Sequence, residues 1–246
     1  MGLKILLGIC YILFFIFLPL YDKEYWPEPT KKSLANKIVA ATMFVAIGVI
    51  GMLMTDNSSQ YASTMIIGLI CGWFGDILMH IPSKKNMTCL YIGAAGFLVG
   101  HIFYVMAFVN GAKALSENYK FFTAPELVAF IVVYVAFLLM LKPVFKFNFD
   151  SKFLQYGLYL YGIFLIGMLF KAISFALAYM QNGAGNNLIA TVILIFAAIS
   201  FFVSDLTLGI RLLGGRKDSK FIKSLSLYTY FFAQLLLSTS ILLIKA

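Results

Sequence analysis

The sequence predicts an all-α polytopic membrane protein, a single bundle of eight transmembrane helices, and three observations predict it. Of 246 residues, 62% are hydrophobic and 12% charged, about half the charged content of a soluble domain. That composition excludes a water-soluble globule, and it also excludes a disordered chain, which needs the reverse balance. Eight apolar runs between polar joints each approach the roughly 20 residues that a hydrocarbon core about 30 Å thick requires. Positive charge alternates between connections: the odd-numbered ones hold 14 of the 19 Lys and Arg, the opposite side 4, and Lys171 lies inside the sixth run. The positive-inside rule then puts the N- and C-termini both outside.

Crossings are expected at 3–20, 38–54, 61–81, 87–109, 123–141, 153–180, 187–210 and 224–244. No small-x-small cleavage site stands ahead of Tyr21-Asp22-Lys23, so the first run reads as a retained helix rather than a signal peptide. The connection at 21–37 is the longest and carries Tyr21, Tyr25 and Trp26, the residue types that settle at headgroups. Asp56-Asn57-Ser58-Ser59, Pro82-Ser83-Lys84-Lys85-Asn86 and Gln181-Asn182-Gly183-Ala184-Gly185-Asn186 have turn chemistry, so successive helices run antiparallel. Thr123-Ala124-Pro125-Glu126 reads as a helix start, with Thr123 as N-cap and Glu126 at the third helical position, and Lys142-Pro143 closes that helix. Residues 1–246 contain no domain boundary. Gly75-Asp76 late in the third run echoes Ser204-Asp205 late in the seventh, too little in itself to define a repeat.

The three cysteines, Cys10, Cys71 and Cys89, form no close pair of the metal or redox kind. The basic excess is explained by topology in so apolar a chain, and no nucleic-acid partner is expected. Arg211, Arg216, Lys217, Lys220 and Lys223 read first as topology determinants, although a lipid phosphate arriving from the cytoplasmic side would meet them and Arg211 first.

Charges deep in a crossing cost roughly 2.5–3.5 kcal/mol on insertion scales, which singles out Asp76, His80, His101, Lys171 and Asp205. Asp76 and Asp205 each lie about 7.5 Å from the cytoplasmic end of their runs, in one layer. Tyr230 shares that layer, and His101 and Gln234 lie deeper; lipid would penalise all five, so they should converge on the bundle interior. An idle packing role is the bland reading of a membrane aspartate. A lone core histidine such as His101 is more often a hydrogen-bonding partner than a metal ligand, and Tyr104 shares its helix face. Two histidines cannot make a three-histidine zinc site, which leaves only a mixed His101, Asp76 and Asp205 set conceivable, so no metal or cofactor is expected. His80 reads as interfacial, near a helix C-terminus. Lys171 either snorkels toward the outer interface or faces inward.

Four segments together resemble the YhhN-type integral membrane lysoplasmalogenases, an eight-helix family: Gly75-Asp76-Ile77-Leu78, Gly96-Phe97-Leu98-Val99-Gly100-His101-Ile102-Phe103-Tyr104, Ser204-Asp205 and Tyr230-Phe231-Phe232-Ala233-Gln234-Leu235-Leu236. Where many members carry Lys-Pro at the second helix, this chain has Lys37-Ile38. The resemblance implies hydrolysis of the vinyl ether of a lysoplasmalogen to a fatty aldehyde and glycerophosphocholine or glycerophosphoethanolamine, with lipid, water and the bilayer as partners. Protonating the alkene makes an oxocarbenium ion that water captures, work suited to two carboxylates as in glycoside hydrolysis. Asp76, Asp205 and His101 are then the expected catalytic groups, with Tyr104, Tyr230 and Gln234 binding substrate or water. The membrane is the cell membrane in a bacterium and an endomembrane in a eukaryote. The rival classes are a transporter of protons or an amphiphile, which would favour broken helices or an inverted repeat, a metal-assisted lipid hydrolase, and a receptor without turnover.

The charge asymmetry sets a test of topology. Alkaline phosphatase fused after Ala246 is expected to be active in cells, and the same reporter inserted between Arg216 and Lys217 inactive; the opposite pattern would invert the orientation.

Overall fold

Each expected crossing corresponds to one helix in the computed structural model, which describes residues 1–57, 59–80, 87–149, 151–183, 185, 187–214 and 219–244. The helices are α1 (Gly2–Glu24), α2 (Lys31–Thr55), α3 (Gln60–His80), α4 (Met87–Leu115), α5 (Ala124–Met140), α6 (Lys152–Asn182), α7 (Asn187–Leu213) and α8 (Lys220–Leu243), and the described residues include no strand. Seven are long and apolar enough to cross a membrane. The shortest, α5, has 17 residues and rises about 26 Å.

Ends differ from the hydropathy boundaries where capping takes over. α2 starts at Lys31 rather than 38, because the Thr30 side chain accepts the Ser33 N–H at 3.0 Å while Ser33 Oγ accepts the Thr30 N–H at 2.8 Å. The expected 21–37 connection therefore shrinks to the residues between Glu24 and Lys31. α8 likewise starts at Lys220 rather than 224, behind Ser219, whose hydroxyl accepts the Ile222 N–H. α4 runs past 109 to Leu115. Apolar runs mark where a helix meets hydrocarbon; caps mark where it begins. The Thr123–Glu126 capping box opens α5 as its sequence requires. The turn expected at 82–86, with Ser58, Ala184, Asn186, Arg216 and Lys217, lies outside the described residues.

Six helices close a ring in the order α2, α3, α4, α6, α7, α8 and back to α2, while α1 packs outside on α2 and α8, and α5 outside on α6 alone. α8 also reaches α3 across the ring. It is the most buried of the long apolar helices, 61% of its apolar stretch against 17% for α1, which explains how it carries Ser226, Tyr230, Gln234, Ser238 and Ser240 without exposing them to lipid. The α3–α4 contact is a glycine seam. A Cβ at Gly75 would stand 3.1 Å from the Gly93 carbonyl oxygen, and one at Gly100 3.4 Å from that of Gly68. Small residues let backbones approach where lipid supplies no hydrophobic drive between helices.

The neighbour relations have a two-fold character. Exchanging α1–α4 for α5–α8 carries the pairs α1·α2, α2·α3, α3·α4 and α4·α6 onto α5·α6, α6·α7, α7·α8 and α8·α2, while α3·α8 and α1·α8 have no counterpart. Asp76 of α3 and Asp205 of α7 thereby occupy corresponding helices on opposite sides of the ring.

The glycine seam predicts that Gly75→Val lowers stability by about 1–3 kcal/mol, since the Phe97 ring at 3.0 Å and the Gly93 carbonyl at 3.1 Å both stand in the way of a Cβ. Gly157→Ala, with open space around it, should change little. Unfolding of both variants in detergent checks this, and equal stabilities would refute the seam.

Candidate functional site

Polar groups gather where α2 docks on α3. Ser33, fixed by the α2 cap, lies 3.1 Å from His80 Nε2 through its Oγ. Ser33 and Lys37 are one turn apart on α2, as are Asp76 and His80 on α3, so the antiparallel contact that pairs Ser33 with His80 also delivers Lys37 to Asp76. The Lys37 ammonium donates to Asp76 Oδ1 at 3.0 Å and to the Asp76 carbonyl oxygen at 2.9 Å. His80 is buried rather than interfacial in the exposed sense, packed against the rings of Tyr21 and Tyr25 at 5.9 and 5.4 Å.

From the other side Tyr230 donates to Asp76 Oδ2 at 2.8 Å, Gln234 Nε2 donates to the Tyr230 oxygen at 2.9 Å, and Tyr104 donates to Gln234 Oε1 at 2.6 Å. These residues form one directed chain that ends on the carboxylate. Space for it comes from α3: any side chain at Gly68 would collide with the Tyr104 ring, and any at Gly72 with the Gln234 amide. In a low-dielectric interior such a network is strong only when every member is satisfied, and here both Asp76 oxygens are.

Asp205 has a different set of partners. Tyr161 of α6 donates to Asp205 Oδ2 at 2.5 Å, and His101 Nε2 of α4 lies 3.0 Å from the same oxygen and 3.0 Å from the Tyr161 hydroxyl. A proton on Nε2 makes His101 a donor to Asp205 and leaves Nδ1 facing the Met168 sulfur at 3.1 Å. Asp205 Oδ1 has no protein hydrogen bond among the described residues. The ring of Phe201 stands between the two sets, 4.8 Å from His101 and 5.5 Å from Tyr230.

Both aspartates line one cavity of about 80 Å³, together with Lys37 and Tyr230, room for several waters. His101, Tyr104 and Gln234 stand behind it and act on it through Asp205 and Tyr230. The expected convergence of Asp76, Tyr230, Gln234, His101 and Asp205 thus takes the form of two hydrogen-bonded sets on one cavity, the first of which Tyr104 joins, without a direct bond between the carboxylates among the described residues. No three His, Cys, Asp or Glu side chains converge among the described residues, and the place beside Asp76 is taken by an ammonium.

Sequence reasoning passed over Tyr161, which nothing separates from Tyr156 and Tyr159 until the phase of α6 is known, and it set Lys37 in a loop. Lys223, read as a loop cation, is buried and bonds to Asp22 Oδ1 at 2.8 Å, sharing that oxygen with Ser224. At the opposite end Lys171 does not carry its charge out to water: it is buried, its ammonium paired with Glu126 at 2.7 Å, bonded to the Phe121 carbonyl and 3.9 Å from the Phe122 ring. Glu126 is both cap and counter-ion. Nearby, burial and then the Glu126 charge push the Tyr119 phenol up to about 12.

An all-helical bundle with long apolar spans and a buried two-carboxylate cavity defines a polytopic membrane protein with an intramembrane polar site. The sequence profile of the YhhN family matches residues 33–241, and the chain belongs to that family. No curated protein and no solved structure matches it.

Removing one member of the buried pair should cost more than removing both. Lys37→Met is expected to lose about 3–5 kcal/mol by leaving Asp76 unpaired, and Lys37→Met with Asp76→Asn markedly less. Detergent unfolding of the double-mutant cycle measures the coupling, and simple additivity would contradict the pair.

Proposed function

We propose that this protein is a lysoplasmalogen hydrolase that opens the vinyl ether within the membrane, as membership of the YhhN family suggests. The observation that carries the reading is two aspartates on one cavity, one bonded to an ammonium and the other to an imidazole and a phenol. Glycoside hydrolysis divides its work in the same way, between a proton donor and a carboxylate that faces the cationic centre.

In this reading the acid is Asp205. A proton on its unengaged Oδ1 faces the cavity while Oδ2 accepts from Tyr161 and His101. The proton passes to the alkene carbon remote from the ether oxygen, and the carbon next to oxygen becomes an oxocarbenium ion. Asp76, ion-paired with Lys37 and held by Tyr230, provides the negative charge opposite that cation. Water adds to the cation and returns its proton to Asp205, giving a hemiacetal. Breaking the bond from the former vinyl carbon to the glycerol oxygen, with transfer of the hemiacetal proton, releases the aldehyde and a glycerol hydroxyl. The lipid keeps its tail in hydrocarbon and brings only the ether and headgroup to the polar layer. The protein acts as a multi-pass membrane enzyme with lipid and water as its only reactants.

Purified protein is expected to release aldehyde from choline and ethanolamine lysoplasmalogens and none from saturated-ether analogues. Asp76→Asn and Asp205→Asn should each reduce turnover by about 100-fold or more. Full turnover in both folded variants would sink the mechanism, and no aldehyde from well-folded protein would move the two carboxylates to a proton or ligand site of a transporter.

A further inference from the structure

The cavity has more positive charge at its mouth than the chemistry uses. Lys37 is neutralised by Asp76 and Lys223 by Asp22. Arg211 also lines the cavity, in the last turn of α7, and has no carboxylate partner among the described residues; its guanidinium lies 5.8 Å from the centre of the Tyr25 ring. The same ring lies 4.6 Å from the Lys223 ammonium, so Tyr25 faces both cations.

We infer that Arg211 binds the phosphodiester of the lysolipid headgroup and, with Lys223 beside it, sets the substrate's depth. The inference rests on the lysoplasmalogen reading above. A guanidinium offers a planar fork of donors that fits two phosphate oxygens at once. Among the described residues Arg211 is the cavity cation without a carboxylate partner, and its single charge matches that of a phosphodiester. Arg211 lies six residues beyond Asp205 on α7, an axial rise of about 9 Å, and an extended glycerol backbone spans a distance of that order from phosphate to the ether oxygen at its far carbon. A phosphate at Arg211 therefore leaves the ether near Asp205. The C-terminal field of α7 would favour any cation at this position, but that field makes no demand on guanidinium geometry. Exchange for lysine separates the two explanations.

The test uses the full chain in detergent and a lipid it cannot cleave. Binding of a saturated 1-alkyl lysophosphocholine is compared with that of the phosphate-free 1-alkylglycerol, for the unaltered protein, Arg211→Gln and Arg211→Lys. Arg211→Gln is expected to weaken the lysophosphocholine by about tenfold or more and to abolish the preference for the phosphorylated lipid, and Arg211→Lys to recover only part of both. Glycerophosphocholine should displace the lipid at concentrations where inorganic phosphate does not. Unchanged lysophosphocholine affinity in Arg211→Gln would overturn the assignment, as would an equal loss for the alkylglycerol. Full rescue by lysine would reduce Arg211 to a point charge and overturn the fork, and displacement by inorganic phosphate alone would make the site one for free phosphate. Because binding is read without turnover, an Arg211-dependent preference in a protein that releases no aldehyde would reject the hydrolase and keep the phosphate site.

Discussion

A charge inside a bilayer must find its counter-charge within the protein, and the Lys37–Asp76 pair is where this chain meets that demand. Neither partner is tolerable alone, so the first turns of α2 must be helical, must lie against the end of α3, and must do so in one register. The Thr30–Ser33 cap supplies the first condition and the Ser33–His80 contact the register. With Asp76 anchored, the line through Tyr230, Gln234 and Tyr104 ties α8 and α4 to the same point, and the glycines of α3 are small because those side chains need the room.

The two carboxylates are alike in position and unlike in company. Asp76 takes partners from α2 and α8, and Asp205 takes partners from α6 and α4, helices that exchange under the approximate two-fold of the ring. Where one half supplies a lysine, the other supplies a tyrosine; where one supplies a tyrosine, the other supplies a histidine. A symmetric framework thus holds two carboxyl groups at one cavity while giving one a fixed positive charge and the other groups able to exchange protons. The mechanism proposed above assigns its acid and its counter-charge along that difference.

Much of this was legible in the sequence because lipid penalises polar atoms so heavily. Eight apolar runs gave eight helices, and the rarity of Asp76, His101, Asp205, Tyr230 and Gln234 inside them marked the residues that meet. What stayed hidden depends on local capping or on rotational phase. Lys37 follows a polar stretch that hydropathy assigns to a loop, and only the Thr30–Ser33 cap makes it helical. Tyr161 is one of three nearby tyrosines on α6, and its turn toward Asp205 is fixed by how α6 packs on α4 and α7. Lys223 counts as a cytoplasmic charge in any tally, yet it is buried against Asp22 from the far end of the chain.

The shortness of α5 bears on how the protein sits among lipids of different length. A helix about 26 Å tall faces a hydrocarbon slab about 30 Å thick, and it packs on α6 alone. The turn that follows carries Lys142 and Lys146 among Leu141, Val144, Phe145 and Phe147, and its N–H groups at 144–147 bond to carbonyls of residues 140–142. Asn148 then bonds across to the Leu213 carbonyl at the end of α7. Because α5 touches the ring through α6 alone, a mismatch between its height and the bilayer falls first on that one contact, away from the two helices that carry the carboxylates.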